Sequence, residues 1–89
     1  MSTRLIARFS GRVQGVGFRA TVLYHASGLD VNGFVRNEPD GSVLLDVDGP
    51  KTELKELLNR IESRPAGSID HCDATWTESL DRNNGFSIG

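Results

Sequence analysis

Along the first third of the chain the spacing of apolar residues changes period twice. Leu5, Ala7, Phe9, Gly11 and Val13 alternate with Arg8, Ser10 and Arg12, the period-two pattern of a half-buried strand. Gln14 to Arg19 breaks that alternation with two glycines. Beyond it Val22, Leu23, Ala26 and Leu29 recur at three- and four-residue spacing, which predicts a helix with Gly28 near its C-terminal stop. Val31 to Asn37 reads as a second strand, and the alternation of Val43, Leu45 and Val47 as a third. Between them Glu38-Pro39-Asp40-Gly41 carries proline and glycine where a type I turn favours them, so the two strands are expected to form a hairpin.

Pro50 suits a first helical position, and Leu54, Leu57, Leu58 and Ile61 follow the i, i+3, i+4, i+7 rule, predicting a second helix that ends near Ser63 before Pro65. Ile69 to Glu78 is strand-like with the less regular alternation of a bulged strand. Asn83-Asn84-Gly85 then signals a turn before a short Phe86-Ser87-Ile88 strand. The order βαββαβ plus a short last strand predicts an α+β, ferredoxin-like sandwich, a mainly antiparallel sheet with two helices on one face. Right-handed crossovers give strand order 4-1-3-2, with the final strand at an edge.

At 89 residues the chain is expected to form one domain, 1–89, burying roughly 60–65% of its unfolded surface. Ten Lys and Arg against twelve Asp and Glu leave a net charge of −2, which speaks against a partner such as nucleic-acid backbone or an anionic membrane. Any anion site must therefore be local. Cys72 is the one cysteine, so neither a disulfide nor a cysteine-based metal cluster is expected within the chain, and it reads as a small, partly buried apolar residue. Met1-Ser2-Thr3-Arg4-Leu5 lacks the apolar run of a signal peptide, and no stretch approaches the roughly 20 apolar residues of a membrane span. The expectation is a soluble, cytoplasmic protein, monomeric by default at this size.

The segment that carries chemistry is Gln14-Gly15-Val16-Gly17-Phe18-Arg19, which leaves a strand and runs at once into a helix. N–H groups at a helix start have no partner within the helix and attract anions. Glycines permit the positive φ angles of an anion-binding nest. Arg19 beside it offers a planar fork of donors that can grip phosphate through two oxygens. The letters Gly15-Val16-Gly17-Phe18-Arg19-Ala20 also fit the dinucleotide fingerprint G-x-G-x-x-G/A, but the chain is too short for a doubly wound domain, and its second strand turns straight back in a hairpin. A P-loop is excluded because no Gly-Lys-Ser/Thr follows.

Gly11-Arg12-Val13-Gln14-Gly15-Val16-Gly17-Phe18-Arg19 resembles the first signature of the acylphosphatase family. Gly33-Phe34-Val35-Arg36-Asn37 with Asp40-Gly41-Ser42-Val43 resembles the second, at matching spacing, and Gly28-Leu29 and the closing Phe86-x-Ile88 extend the likeness over essentially the whole chain. The resemblance implies hydrolysis of an acyl phosphate, a carboxylic–phosphoric mixed anhydride, to carboxylate and inorganic phosphate, with no metal or other cofactor. It implies a phosphate-binding loop of Gln14, Gly15, Val16, Gly17, Phe18 and Arg19, in which Arg19 and the amides of residues 15 to 19 hold the phosphate. It gives Asn37 the placement of the attacking water. As an amide Asn37 cannot act as a general base, and in the family view a phosphate oxygen takes the water's proton. After the second helix the sequence departs from the family pattern: Ser63-Arg64-Pro65-Ala66-Gly67-Ser68 precedes a polar Asp70-His71-Cys72-Asp73.

Two other classes compete. One is a non-catalytic acylphosphatase-like phosphate-binding module, such as the domain fused to carbamoyl-transfer enzymes of hydrogenase maturation, though no fused domain is expected here. The other is an RNA-binding ferredoxin-like domain, which calls for exposed aromatics on central strands and a basic face; Phe9 and Phe34 alone do not meet that description. His25 is expected on the side of the first helix away from Val22, Leu23 and Ala26, and His71 on an edge strand, neither with a metal-spaced partner. Trp76 is expected in or beside the core, and Arg36 on the face opposite Asn37, in a structural or long-range electrostatic role.

Overall fold

A computed structural model describes residues 2–89. The elements follow in the order β1 (Ser2–Arg12), α1 (Phe18–Ala26), β2 (Asn32–Asn37), β3 (Val43–Pro50), α2 (Lys51–Ser63), β4 (Ser68–Glu78) and β5 (Phe86–Ile88). They form one five-stranded sheet ordered β4-β1-β3-β2-β5. All pairings are antiparallel except that of β5 with β2. This is the ferredoxin-like plan expected from the sequence, with the extra strand at the β2 edge.

The period-two pattern decides which face each strand buries. Leu5, Ala7 and Phe9 of β1, Val35 of β2 and Val43, Leu45 and Val47 of β3 are completely buried. They form a single cluster with Phe18 and Val22 of α1 and Leu54, Leu57 and Ile61 of α2, so both helices lie on that face. The ring of Phe18 packs against that of Phe9 at 5.3 Å between centroids, a tilted pair that pins the start of α1 onto β1. The irregularity expected in β4 is a bulge: Ser10 pairs with His71 and Gly11 with Ile69, leaving Asp70 as the extra residue.

Alternation alone would leave Asp46 and Asp48 of β3 in water, yet both are buried. The connection from β4 to β5 crosses the helix-free face and supplies their partners. Arg82 pairs with both carboxylates and Arg4 with Asp46, while Ser79 Oγ and the Leu80 amide donate to Asp48. Hydrogen bonds from Arg4 hold the Asp46 pKa below its ordinary value; burial opposes this, and Arg82 adds to the lowering. For Asp48 burial pushes upward, but Ser79, Arg82 and the Leu80 amide outweigh it, so its pKa also falls.

His25 corrects the expectation. It is only 7% exposed, whereas Leu23 is 40% exposed. The inward stripe of α1 is Phe18, Val22, His25 and Ala26, spaced i, i+4, i+7, i+8, which turns Leu23 outward. His25 tolerates burial because Nε2 meets the Arg64 carbonyl at 3.0 Å, and an acceptor there requires the hydrogen on Nε2. His71 lies exposed on the edge strand as expected, paired with Asp73. Trp76 is half-buried against the core with Lys51 Nζ 5.2 Å from its ring centroid.

Candidate active site

The strand-to-helix junction is built without a conventional cap. Gly17 occupies the N-cap position at φ 81°, no side chain caps the helix, and its first turn carries no acidic residue. Gly15 also has positive φ, at 73°. A Cβ at either position would meet nothing within 4 Å, so glycine serves the backbone conformation here, not a close approach. The first intrahelical bond runs from the Thr21 amide to the Gly17 carbonyl. None of the amides of residues 15 to 19 has an acceptor within the described residues. A capping carboxylate would fill this position and repel an anion; its absence leaves the helix start and loop amides open to one.

Asn37 arrives from the other motif. It ends β2 two residues after Val35, and alternation therefore places it on the helix-covered face, while Phe34 and Arg36 share the opposite one. Arg36 stacks over Phe34 at 5.2 Å and donates to Glu38 at 3.1 Å, a structural role away from Asn37. A small pocket of about 180 Å³ brings Gly15, Gly17, Phe18, Arg19 and Asn37 together, closed by Val13, Ala20 and Ile88. The Asn37 side chain makes no hydrogen bond to the described residues. Among the described residues Arg19 reaches one acceptor, Nη1 donating to the Gly89 carbonyl at 3.4 Å.

The two remaining loop residues do not line the pocket. The Gln14 amide donates to the carbonyls of Glu38 and Ser42, at 2.8 and 2.9 Å, so its side chain is committed to the hairpin turn and has no donor left for a phosphate. Val16 packs its side chain against the core. The turn itself is shaped by a hydrogen bond from the Gly41 amide to the Glu38 carbonyl and by the Asp40 carboxylate, which accepts from the Ser42 amide and hydroxyl. Ile88 and Gly89, beside the site, were missed as site residues because their position depends on the parallel addition of β5 to β2, a long-range pairing with no local signal.

Other reactive residues stay outside the site. Burial, then the charges of Glu62 and Asp73, push the Cys72 thiol up to about 11, far from a nucleophile at neutral pH. Among the described residues no three of His, Cys, Asp or Glu gather as a metal's ligands. No helix is long and apolar enough to cross a membrane. A wider cleft of about 500 Å³ opens between Tyr24, His25, Arg60 and Arg64 but holds no residue of either signature motif.

The acylphosphatase family model matches residues 5–88. The acylphosphatase of Salinibacter ruber is 42% identical over 86 residues, covering 96% of this chain and 90% of the relative. The crystal structure of acylphosphatase from Bacillus subtilis superimposes with a TM-score of 0.89 at 31% identity, covering 98% of each chain. HypF from T. kodakarensis, 22% identical with a TM-score of 0.79, contains the same fold in 12% of its length. On the span of the family model and the full-length likeness to these relatives, the chain belongs to the acylphosphatase family and is a hydrolase of that family.

Proposed function

We propose that Arg19 and the amides of residues 15 to 19 hold the phosphate of an acyl phosphate, while Asn37 places the water that attacks it. The observation that carries this reading is the convergence of Arg19, Gly15 and Gly17 with Asn37 in one small pocket, although the two motifs come from different elements. Water oxygen bonds to phosphorus, the phosphorus–oxygen bond to the acyl group breaks, and carboxylate leaves. The water's proton passes to a phosphate oxygen, since neither Asn37 nor Arg19 can accept it. Phosphoryl transfer asks for positioning and for charge stabilisation on the equatorial oxygens, and this set of donors supplies both.

In this reading the reaction needs no metal, because the acyl group leaves as a stabilised carboxylate; among the described residues no metal-ligand set gathers at the site. We also assign the chain to one domain, a monomeric state and the cytoplasm, without a nucleic-acid partner. Those assignments draw support from the chain's modest size, net charge of −2 and single cysteine. The deciding measurement compares benzoyl or acetyl phosphate with a phosphate monoester, in EDTA. Rapid anhydride hydrolysis with almost no monoester turnover is expected. Comparable rates on both, or activity that returns only with added Mg²⁺ or Zn²⁺, would overturn the reading.

A further inference from the structure

The pocket around Arg19 and Asn37, at about 180 Å³, is smaller than the roughly 300–1,000 Å³ of a typical small-molecule site. It suits a phosphate and leaves the rest of the substrate unaccommodated. A second depression of about 420 Å³ begins one helical turn further along α1; Leu23, Ala26, Leu29, Val31 and Phe86 make most of its border, with Ser27 and Gly85 completing it. The two share one seam. Arg19, Ala20 and Ile88 border the first, and Leu23, Ala26 and Phe86 border the second, so each step along α1 is matched by a step back along β5.

One helical turn rises about 5 Å and two strand residues span about 7 Å, so a few carbon atoms bridge the two. Leu23 and Ile88, each about 40% exposed, leave apolar surface uncovered along that route. No charged side chain borders the second depression. A charged acyl group would lose hydration there without gaining an opposite charge, and Ser27 is the one polar side chain on its border.

We propose that the seam between α1 and β5 is the acyl subsite, and that it selects acyl phosphates with an apolar acyl group of several carbons or one aromatic ring. The inference rests on the phosphate assignment above. It adds that Leu23, turned outward against the helical phase expected of it, is a specificity-determining residue.

The test uses binding of non-hydrolysable methyl-, butyl-, hexyl- and phenylphosphonate by titration calorimetry. Each affinity is taken relative to inorganic phosphate on the same protein, and acetyl phosphate hydrolysis is followed in parallel. Affinity is expected to rise about two- to fourfold per methylene, the range for partial to full burial of a CH₂ group. Leu23→Gln, which keeps length, helix propensity and neutrality beside Arg19, should flatten that slope. A slope of zero in the parent protein, or an equal slope in Leu23→Gln, overturns the acyl subsite while hydrolysis of acetyl phosphate leaves the phosphate assignment standing. Failure to bind phosphate or to hydrolyse acetyl phosphate removes the phosphate assignment and the subsite together.

Discussion

The side-chain amide of Gln14 donates to the Glu38 carbonyl at 2.8 Å, tying the glycine loop to the residue that follows Asn37. A second bond to the Ser42 carbonyl makes the tie bidentate. Two parts of the site that come from separate motifs are thereby held in one register. Gln14→Ala leaves two carbonyls without their donor and should destabilise the fold by about 1–3 kcal/mol. It should also lower kcat/KM about tenfold, because a small misplacement of positioning groups is costly. Urea unfolding and steady-state kinetics check the two effects. Unchanged kinetics would mean that the loop and the turn hold their places independently.

Acid should loosen the face of the sheet opposite the helices. The pKa values of Asp46 and Asp48 lie below those of an ordinary carboxylate, whose unfolded value is about 3.9. A depressed folded pKa contributes stability that is present above the unfolded value and lost as pH falls through the folded one. The protein should therefore lose stability steeply below about pH 4. Asp48→Asn should be less stable at pH 7, because Arg82, Ser79 and the Leu80 amide lose a charged acceptor. It should also show a shallower acid slope. Urea midpoints from pH 7 to pH 3 read both, and an identical slope in the variant would remove Asp48 from the acid response.

Most of the fold was legible because its strands and second helix keep clean periods, and both signature motifs lie on a strand end and its turn or loop. What escaped depends on partners far along the chain. The inward place of His25 is set by the Arg64 carbonyl, and the burial of Asp46 and Asp48 by Arg82. The resemblance places Gln14 in the phosphate-binding loop; that its side-chain amide ties the loop to the hairpin is set by carbonyls from a turn more than twenty residues on. In each case a polar residue in an apolar setting was a sign that some partner must exist, without revealing which one.

Gly17 should be needed for its backbone angle alone. At φ 81° with open space around a would-be Cβ, Gly17→Ala meets no clash but must adopt the left-handed region, at a cost of roughly 1–2 kcal/mol. Gly17→Asn should cost less, since asparagine enters that region more readily. Thermal unfolding of the two variants ranks them. Equal losses, or a larger loss for asparagine, would point to side-chain crowding instead of backbone strain.

Arg19 and Asn37 should fail in different ways, since one binds the charge that develops and the other places the water. Arg19→Ala should weaken competitive inhibition by inorganic phosphate and reduce kcat by about 10²-fold or more, the scale of a lost transition-state donor. Arg19→Lys should recover little, because an ammonium cannot reproduce the two-oxygen fork. Asn37→Ala should reduce kcat by a similar order and leave phosphate inhibition nearly intact, since the amides of residues 15 to 19 and Arg19 still hold the anion. Folding is checked by circular dichroism, because Arg19 lies in the first turn of α1 and Asn37 ends β2. Asn37 faces no described hydrogen-bonding partner, so its removal should leave stability within about 0.5 kcal/mol. A well-folded Asn37→Ala protein that turns over acyl phosphate at the parent rate would take Asn37 out of the mechanism and reduce the site to an anion-binding loop.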